Sequence, residues 1–186
     1  MEQTQKTTLL KVARDSVAAC VRGGAVSLPK SDDPQLNAPC GCFVTLKNAG
    51  RLRGCIGQFV SDSPLIGLVA DMAQAAAAHD PRFAADPITP DELEHLDLEI
   101  SVLSPLRRTY NPLELRPGVH GLYIRRGVRS GCFLPQVATE TGWDKRQFLS
   151  NCCRHKAGLE PDAWKDPATE VYLFEAEVFG APFGKI

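Results

Sequence analysis

Two tight-turn signals constrain the fold of this chain more than any other feature of its sequence. Candidate strands at 43–47 and 51–56 flank Asn48-Ala49-Gly50, and candidate strands at 122–126 and 130–134 flank Gly127. Glycine and asparagine are the residues that sharp hairpin turns favour. Both pairs of candidate strands are therefore predicted to be hairpins, which favours antiparallel over parallel strand pairing.

The other periodic segments predict further strands and several helices. Apolar residues recur at helical spacing in some segments and alternate with polar residues in others. The predicted helices cover 8–22, 63–78, a segment from 135, and 144–158, and the other predicted strands cover 96–102 and 170–179. Together these elements predict an α+β fold, a mainly antiparallel sheet with helices packed on it.

Length and composition predict one globular domain over residues 1–186, or two closely packed lobes within it. The chain has 186 residues, 44% of them hydrophobic, and a net charge of -1. A net charge near zero argues against a general nucleic-acid binder, because phosphate affinity needs unbalanced positive charge. No stretch reaches the ~18 apolar residues of a membrane span and the first residues lack a signal-peptide pattern, so we expect a cytoplasmic protein.

The cysteines and glycines predict neither a metal site nor a cofactor. Seven cysteines without a secretory signal indicate reduced thiols. The close pairs, Cys40 with Cys42 and Cys152 with Cys153, do not match the spacing of structural zinc sites. No phosphate-binding loop or dinucleotide fingerprint is present.

Charge is unevenly distributed along the middle of the chain. Residues 86–99 carry six acidic residues and no lysine or arginine, whereas 107–129 carry six arginines against Glu114 alone. These stretches are interpreted either as two solvated faces that complement each other or as an anion-binding surface.

The hexapeptide Leu52-Arg-Gly-Cys-Ile-Gly57 is the clearest candidate for a functional site. Strand alternation predicts that Arg53 and Cys55 share the polar face, and a nearby guanidinium favours a thiolate. Gly54 and Gly57 allow the backbone to bulge or a ligand to approach closely. The alternative interpretation is a packed thiol beside a structural bulge, because free cysteine is among the most buried residue types.

The hexapeptide and its surroundings resemble the AMMECR family, whose bacterial members are called AmmeMemoRadiSam system protein A. The resemblance covers nearly the whole chain, with many blocks in the same order. Besides the hexapeptide, the similar blocks are Cys40–Leu46, Asp80–Phe83, Glu99–Pro105, Pro117–Leu122, Leu134–Ala138, Gly142–Asp144, Lys156–Leu159, Asp162–Trp164 and Tyr172–Phe179. This resemblance implies an α+β fold with a larger and a smaller lobe and a cleft between them, but no settled activity.

Four further residues are candidates for the same site. His120, between Gly118 and Gly121 in one of the similar blocks, is the candidate base for Cys55; the alternative is a structural turn residue. Asp80 and Arg82 follow a helix, where Arg82 could bind an anionic small molecule or simply pair with Asp80. Glu99 lies on the polar face of the strand at 96–102.

Two hypotheses follow for the function. In the first, Cys55 is a nucleophile, His120 moves protons, and Arg53 with the glycine amides stabilises negative charge. In the second, the chain is a noncatalytic accessory protein that binds a ligand or partner at Leu52–Gly57. The family resemblance implies that its partners are a Memo-like protein and a radical SAM protein.

Overall fold

The computed structural model describes all 186 residues, Met1–Ile186, and it has the α+β fold that the sequence predicts. The chain divides into two compact units. Unit 1 comprises Met1–Leu103 and Glu177–Ile186, and unit 2 comprises Ser104–Ala176. The cleft that the family resemblance implies stays a prediction.

Unit 1 is a four-stranded sheet with two helices. Its elements are α1 (Gln3–Arg22), β1 (Cys42–Asn48), β2 (Arg51–Gln58), α2 (Leu65–Ala78), β3 (Leu96–Leu103) and β8 (Ala176–Pro182). The strand order is β2-β1-β3-β8, with β1 antiparallel to both β2 and β3. The helices pack against each other, and α2 also packs on β1 and β2.

The core of unit 1 lies between this sheet and its helices. Alternate residues of β1, Cys42, Val44 and Leu46, are fully buried on the core-facing side of the sheet. Residues Phe43, Thr45 and Lys47 therefore belong to the opposite side, which we call the outer face. The hairpin predicted at Asn48-Ala49-Gly50 is confirmed, with positive φ at Ala49 and Gly50.

Unit 2 is a second four-stranded sheet with two shorter helices. Its elements are β4 (Arg107–Thr109), β5 (Gly121–Arg126), β6 (Arg129–Phe133), α3 (Pro135–Thr141), α4 (Lys145–His155) and β7 (Glu170–Phe174). The strand order is β4-β7-β5-β6, and the paired strands are antiparallel. A separate core forms between this sheet and α4, around Phe148 and Leu149.

The structure corrects the predicted final strand. The sequence predicts one strand over 170–179, but the chain breaks it at Glu175 into β7 and β8. Strand β7 belongs to the sheet of unit 2, and β8 belongs to the sheet of unit 1. The alternating pattern continues across Glu175 because both strands have one buried face, so periodicity alone could not reveal the change of sheet.

The arginine-rich stretch finds its opposite charges within unit 2. Each of the six arginines has a partner there, either a carboxylate or, for Arg129, a backbone carbonyl. The carboxylate pairs are Arg107 with Glu114, Arg108 with Glu170, Arg116 with Glu175, Arg125 with Glu170, and Arg126 with Asp166. In unit 1, Asp86 and Glu92 of the acidic stretch pair with Arg53.

Candidate functional site

A β-bulge in the 52–57 motif decides where its side chains lie. In the hairpin register Leu46 pairs with Gly54 and Lys47 with Leu52, which leaves Arg53 as the extra residue of β2. Beyond the bulge Cys55 pairs with Thr45, so the thiol lies on the outer face. The prediction that Arg53 and Cys55 share a face is wrong, because the extra residue interrupts the alternation.

Arg53 forms a structural ion-pair network and does not lie beside the thiol. Its side chain is only 6% exposed. The guanidinium donates to Glu92 Oε1 at 2.6 Å and to Asp86 Oδ2 at 2.7 Å, and Nη2 also donates to the carbonyls of Asp86 and Pro87. The hydrogen bond with Glu92 is the main reason why the pKa of Arg53 is raised. All three guanidinium nitrogens of Arg53 already donate to oxygens of the protein.

Asp80 and Arg82 bind the outer edge of β2 at Cys55. The Asp80 carboxylate accepts the N–H of Cys55 at 2.9 Å and the N–H of Arg82 at 3.1 Å. The Arg82 side chain returns to Asp80 through Nε at 2.9 Å and Nη2 at 2.6 Å, and Nη2 also donates to the Cys55 carbonyl at 3.1 Å. The arginine beside the thiol is therefore Arg82, not Arg53.

The two members of this pair differ in exposure. The Asp80 side chain is 2% exposed and that of Arg82 is 55% exposed. Hydrogen bonds from Arg82 are the main reason why the pKa of Asp80 falls to about 2, against the opposing effect of burial. The structure gives Arg82 Nη1 no hydrogen bond, and the guanidinium lies 5.6 Å from the ring centroid of Phe83.

A row of polar side chains crosses the outer face next to this pair. Thr45 pairs with Cys55 on one side and with Glu99 on the other. The Thr45 hydroxyl lies 3.3 Å from Cys55 Sγ, and Lys47 Nζ lies 3.6 Å from Glu99 Oε2. The row places Glu99 on the same face as the thiol, and Thr45 and Lys47 are members of the site that sequence reasoning missed.

Close packing explains both glycines of the motif. A Cβ at Gly54 would overlap the backbone carbonyl of Ala76, because α2 passes directly over this point of β2. A Cβ at Gly57 would overlap the ring of Phe43 on the neighbouring strand. The glycines allow a helix and an aromatic ring to approach the strand, which is one of the two roles that the sequence left open.

His120 lies in unit 2, and its imidazole forms a hydrogen bond within a turn. Nδ1 accepts the N–H of Arg116 at 3.1 Å, while Nε2 lies 3.4 Å from Arg116 Nη2 and 3.7 Å from Glu175 Oε1. Burial, followed by the charge of Arg116, lowers the pKa of His120. Cys55 and His120 belong to different units, and these contacts do not support the pairing of nucleophile and base.

Neither a metal cluster nor a membrane helix stands out in the structure. No group of three or more His, Cys, Asp or Glu side chains is arranged to hold a metal ion. None of the helices is both long enough and apolar enough to cross a bilayer.

These features define a class of protein: an α+β fold of two sheets, with the 52–57 motif on an edge strand that an Asp–Arg pair covers. The AMMECR1 family model matches residues 10–179, and the chain belongs to this family.

Curated relatives and a solved structure agree with this assignment. A protein of Methanothermobacter thermautotrophicus is 42% identical over 190 residues, covering 96% of this chain and 95% of the relative. Protein TK0174 of Thermococcus kodakarensis is 43% identical over 182 residues, covering 92% of this chain and 87% of the relative. The crystal structure of PH0010, an uncharacterised protein from Pyrococcus horikoshii, matches with a TM-score of 0.87 at 36% identity and covers 100% of this chain and 95% of that one.

Proposed function

We propose that this chain is a noncatalytic accessory protein of the AmmeMemoRadiSam system protein A type. In this proposal it acts in the cytoplasm with a Memo-like protein and a radical SAM protein. It recognises an anionic group, carried by one of these partners or by the small molecule that they handle, at the 52–57 motif.

The observation that carries this proposal is the held guanidinium of Arg82. Asp80 and the Cys55 carbonyl take the hydrogen bonds of Nε and Nη2, which fixes the plane of the group. The side chain is 55% exposed and Nη1 has no hydrogen bond within the protein, so in this proposal Nη1 donates to the ligand. A fixed donor loses little conformational entropy on binding, which favours affinity for carboxylate or phosphate.

The half-buried Cys55 and Glu99 of the polar row supply further recognition contacts, and the nearly buried Thr45 lies between them. The Cys55 thiol and Thr45 hydroxyl are 3.3 Å apart, and Glu99 lies on the other side of Thr45. A thiol and a hydroxyl can donate or accept weak hydrogen bonds without any covalent step. The site therefore combines one cationic donor with small polar groups, a set that suits binding.

The proposal is tested by binding between purified proteins from the same organism. The Memo-like and the radical SAM proteins are each titrated against the wild-type chain and against Arg82→Gln, with affinity measured by biolayer interferometry. We expect at least one partner to bind the wild type and Arg82→Gln to weaken it at least about tenfold, because a charge-assisted hydrogen bond is lost.

Arg51→Gln is the matched control. Arg51 lies on the same strand and its side chain is 77% exposed, but it pairs with Asp86 at 3.9 Å and makes no contact with Cys55. Its replacement should change affinity by less than about threefold. The proposal is wrong if neither partner binds the wild-type chain, or if the two arginine variants bind equally well.

A further inference from the structure

A cleft of about 500 Å³ lies within unit 2, away from the 52–57 motif in sequence. Its lining residues come from two segments, 108–113 and 164–171. This volume falls within the range of about 300–1,000 Å³ that is typical of small-molecule sites. Nothing in the proposed function uses this cleft.

The walls of the cleft are largely apolar. Pro112, Leu113, Trp164 and Pro167 contribute apolar atoms to the lining. The indole Nε1 of Trp164 donates to Ser150 Oγ at 3.2 Å, so the polar edge of the ring is already satisfied. The ring is only 7% exposed and Lys165 Nζ lies 5.3 Å from its centroid, so Pro112, Leu113 and Pro167 supply most of the apolar surface that is open to a ligand.

Arg108 supplies an available positive charge at this cleft. Its guanidinium lies 5.0 Å from the ring centroid of Tyr110, whose side chain is highly exposed. The structure gives Arg108 no hydrogen bond, and its ion pair with Glu170 is long at 3.5 Å. Glu170 is held more closely by Arg125, at 2.6 Å. The donors of Arg108 are therefore open to an anion.

The other charged side chains that line the cleft are neutralised by close partners. Lys165 Nζ lies 2.8 Å from Asp162, and Asp166 lies 2.8 Å from Arg126 Nη2. The charge left for a ligand is that of Arg108, which favours an anionic ligand over a neutral or cationic one.

Thr169 provides an independent observation at the cleft. It lines the cavity and is only 6% exposed, yet its Oγ1 is buried without a hydrogen-bond partner. Buried hydroxyls are normally hydrogen-bonded, so an orphaned one calls for an explanation. Rotation about χ1 exchanges the hydroxyl and the methyl group, and this would let a ligand in the cleft complete the bond.

We propose that this cleft binds a small anion with a flat apolar body, of the aromatic carboxylate class. The planar part packs against Pro112, Leu113 and Pro167, the carboxylate pairs with Arg108, and Thr169 forms a hydrogen bond with the ligand. No residue of the cleft belongs to the 52–57 motif, so this site stands independently of the accessory function.

The test compares two probes that share rings but differ in charge, 2-naphthoate and 2-naphthamide. Binding to the full chain is measured by calorimetry and by Trp164 fluorescence, with Trp164→Phe identifying that signal over Trp143. We expect naphthoate to bind at least about tenfold more tightly than naphthamide, and Arg108→Gln to abolish this difference. Thr169→Val should weaken naphthoate binding about fivefold, because it replaces the hydroxyl by a methyl group of similar size.

Arg107→Gln is the control, since Arg107 neighbours Arg108 but pairs with Glu114 at 2.8 Å and does not line the cleft. It should bind both probes as the wild type does. Equal affinity for the two probes, unchanged naphthoate binding in Arg108→Gln, or no binding of naphthoate at millimolar concentration would each overturn the proposal. If only Thr169→Val leaves binding unchanged, a trapped water explains the orphan hydroxyl and the hydrogen-bond part of the proposal is wrong.

Discussion

The carboxylate of Asp80 accepts the backbone N–H of Cys55 across a 2.9 Å hydrogen bond, joining the chain after α2 to the edge strand β2. Arg82 Nη2 donates a hydrogen bond to the carbonyl of the same residue at 3.1 Å. An unpaired strand edge is a template for association with other chains, and this pair satisfies both backbone groups at Cys55. The same contacts expose the guanidinium on which the proposed recognition depends.

Asp80→Asn should lower the free energy of unfolding by about 2 kcal/mol at neutral pH. The pKa of Asp80 is about 2 in the folded protein, below its usual value of 3.8. A lowered carboxyl pKa stabilises the folded state above pH ~4, and this contribution is lost as pH falls from ~4 through ~2. Denaturant unfolding followed by circular dichroism should therefore show the two proteins converging in this pH window.

The exposed Asp62 provides the control for this titration. Asp62→Asn should follow the wild type within about 0.5 kcal/mol throughout the same range. A constant gap between wild type and Asp80→Asn down to pH 2 would show that the hydrogen bonds to Asp80 do not depend on its charge.

Gly54→Ala should destabilise the protein, whereas Gly67→Ala should stabilise it. A Cβ at Gly54 overlaps the Ala76 carbonyl, so α2 must move, at a cost of about 2 kcal/mol or more. Gly67 lies within α2 with nothing close to its Cβ position, where alanine is favoured over glycine by about 0.5–1 kcal/mol. Thermal unfolding should move in opposite directions for the two variants, and a neutral Gly54→Ala would contradict the close packing of α2 on β2.

The turns were predictable from sequence because a few residues determine them locally. Asn48-Ala49-Gly50 specifies a sharp turn through its need for positive φ, and the structure has positive φ at Ala49 and Gly50. Gly127 has positive φ in the second hairpin for the same reason. Local chemistry of this kind does not depend on the rest of the fold.

The bulge at Arg53 could not be located in the same way. A regular two-residue turn would pair Cys55 with Val44, on the core-facing side, whereas the extra residue pairs Cys55 with Thr45. Whether the strand bulges depends on α2 covering Gly54 and on Glu92 accepting the side chain of Arg53, contacts between residues far apart in sequence. Sequence reasoning therefore found the motif, but it predicted Arg53 beside the Cys55 thiol where the structure has Arg82.

Arg53→Met should destabilise the protein by about 3 kcal/mol. It leaves the carboxylate of Glu92, which is 15% exposed, without the guanidinium that lies 2.6 Å away. The double variant Arg53→Met with Glu92→Met should recover part of this loss, because no partly buried charge is then left unpaired. A double-mutant cycle from urea unfolding measures the coupling, and additive losses would contradict the network.

Cys55 should react with iodoacetamide faster than the thiols buried in either core. Burial raises the pKa of Cys42 to about 12 and that of Cys153 to about 11. These two thiols should be alkylated at least about tenfold more slowly than the half-buried Cys55, because little thiolate forms and access is restricted. Site-resolved mass spectrometry of the native protein gives the order, and faster labelling of Cys42 would contradict the placement of Cys55 on the outer face.

His120 should act as a neutral turn residue whose protonation weakens the fold. Burial and Arg116 lower its pKa, so the neutral ring contributes stability that is fully present above pH ~6.5. This contribution is lost as pH falls from ~6.5 through the lower folded pKa. His120→Asn keeps an acceptor for the Arg116 N–H but cannot titrate, so its stability gap to the wild type should narrow in that window. NMR titration of the imidazole should show a pKa below 6.5. A pKa above 6.5 would contradict the prediction, because the fold would then stabilise the charged ring rather than the neutral one.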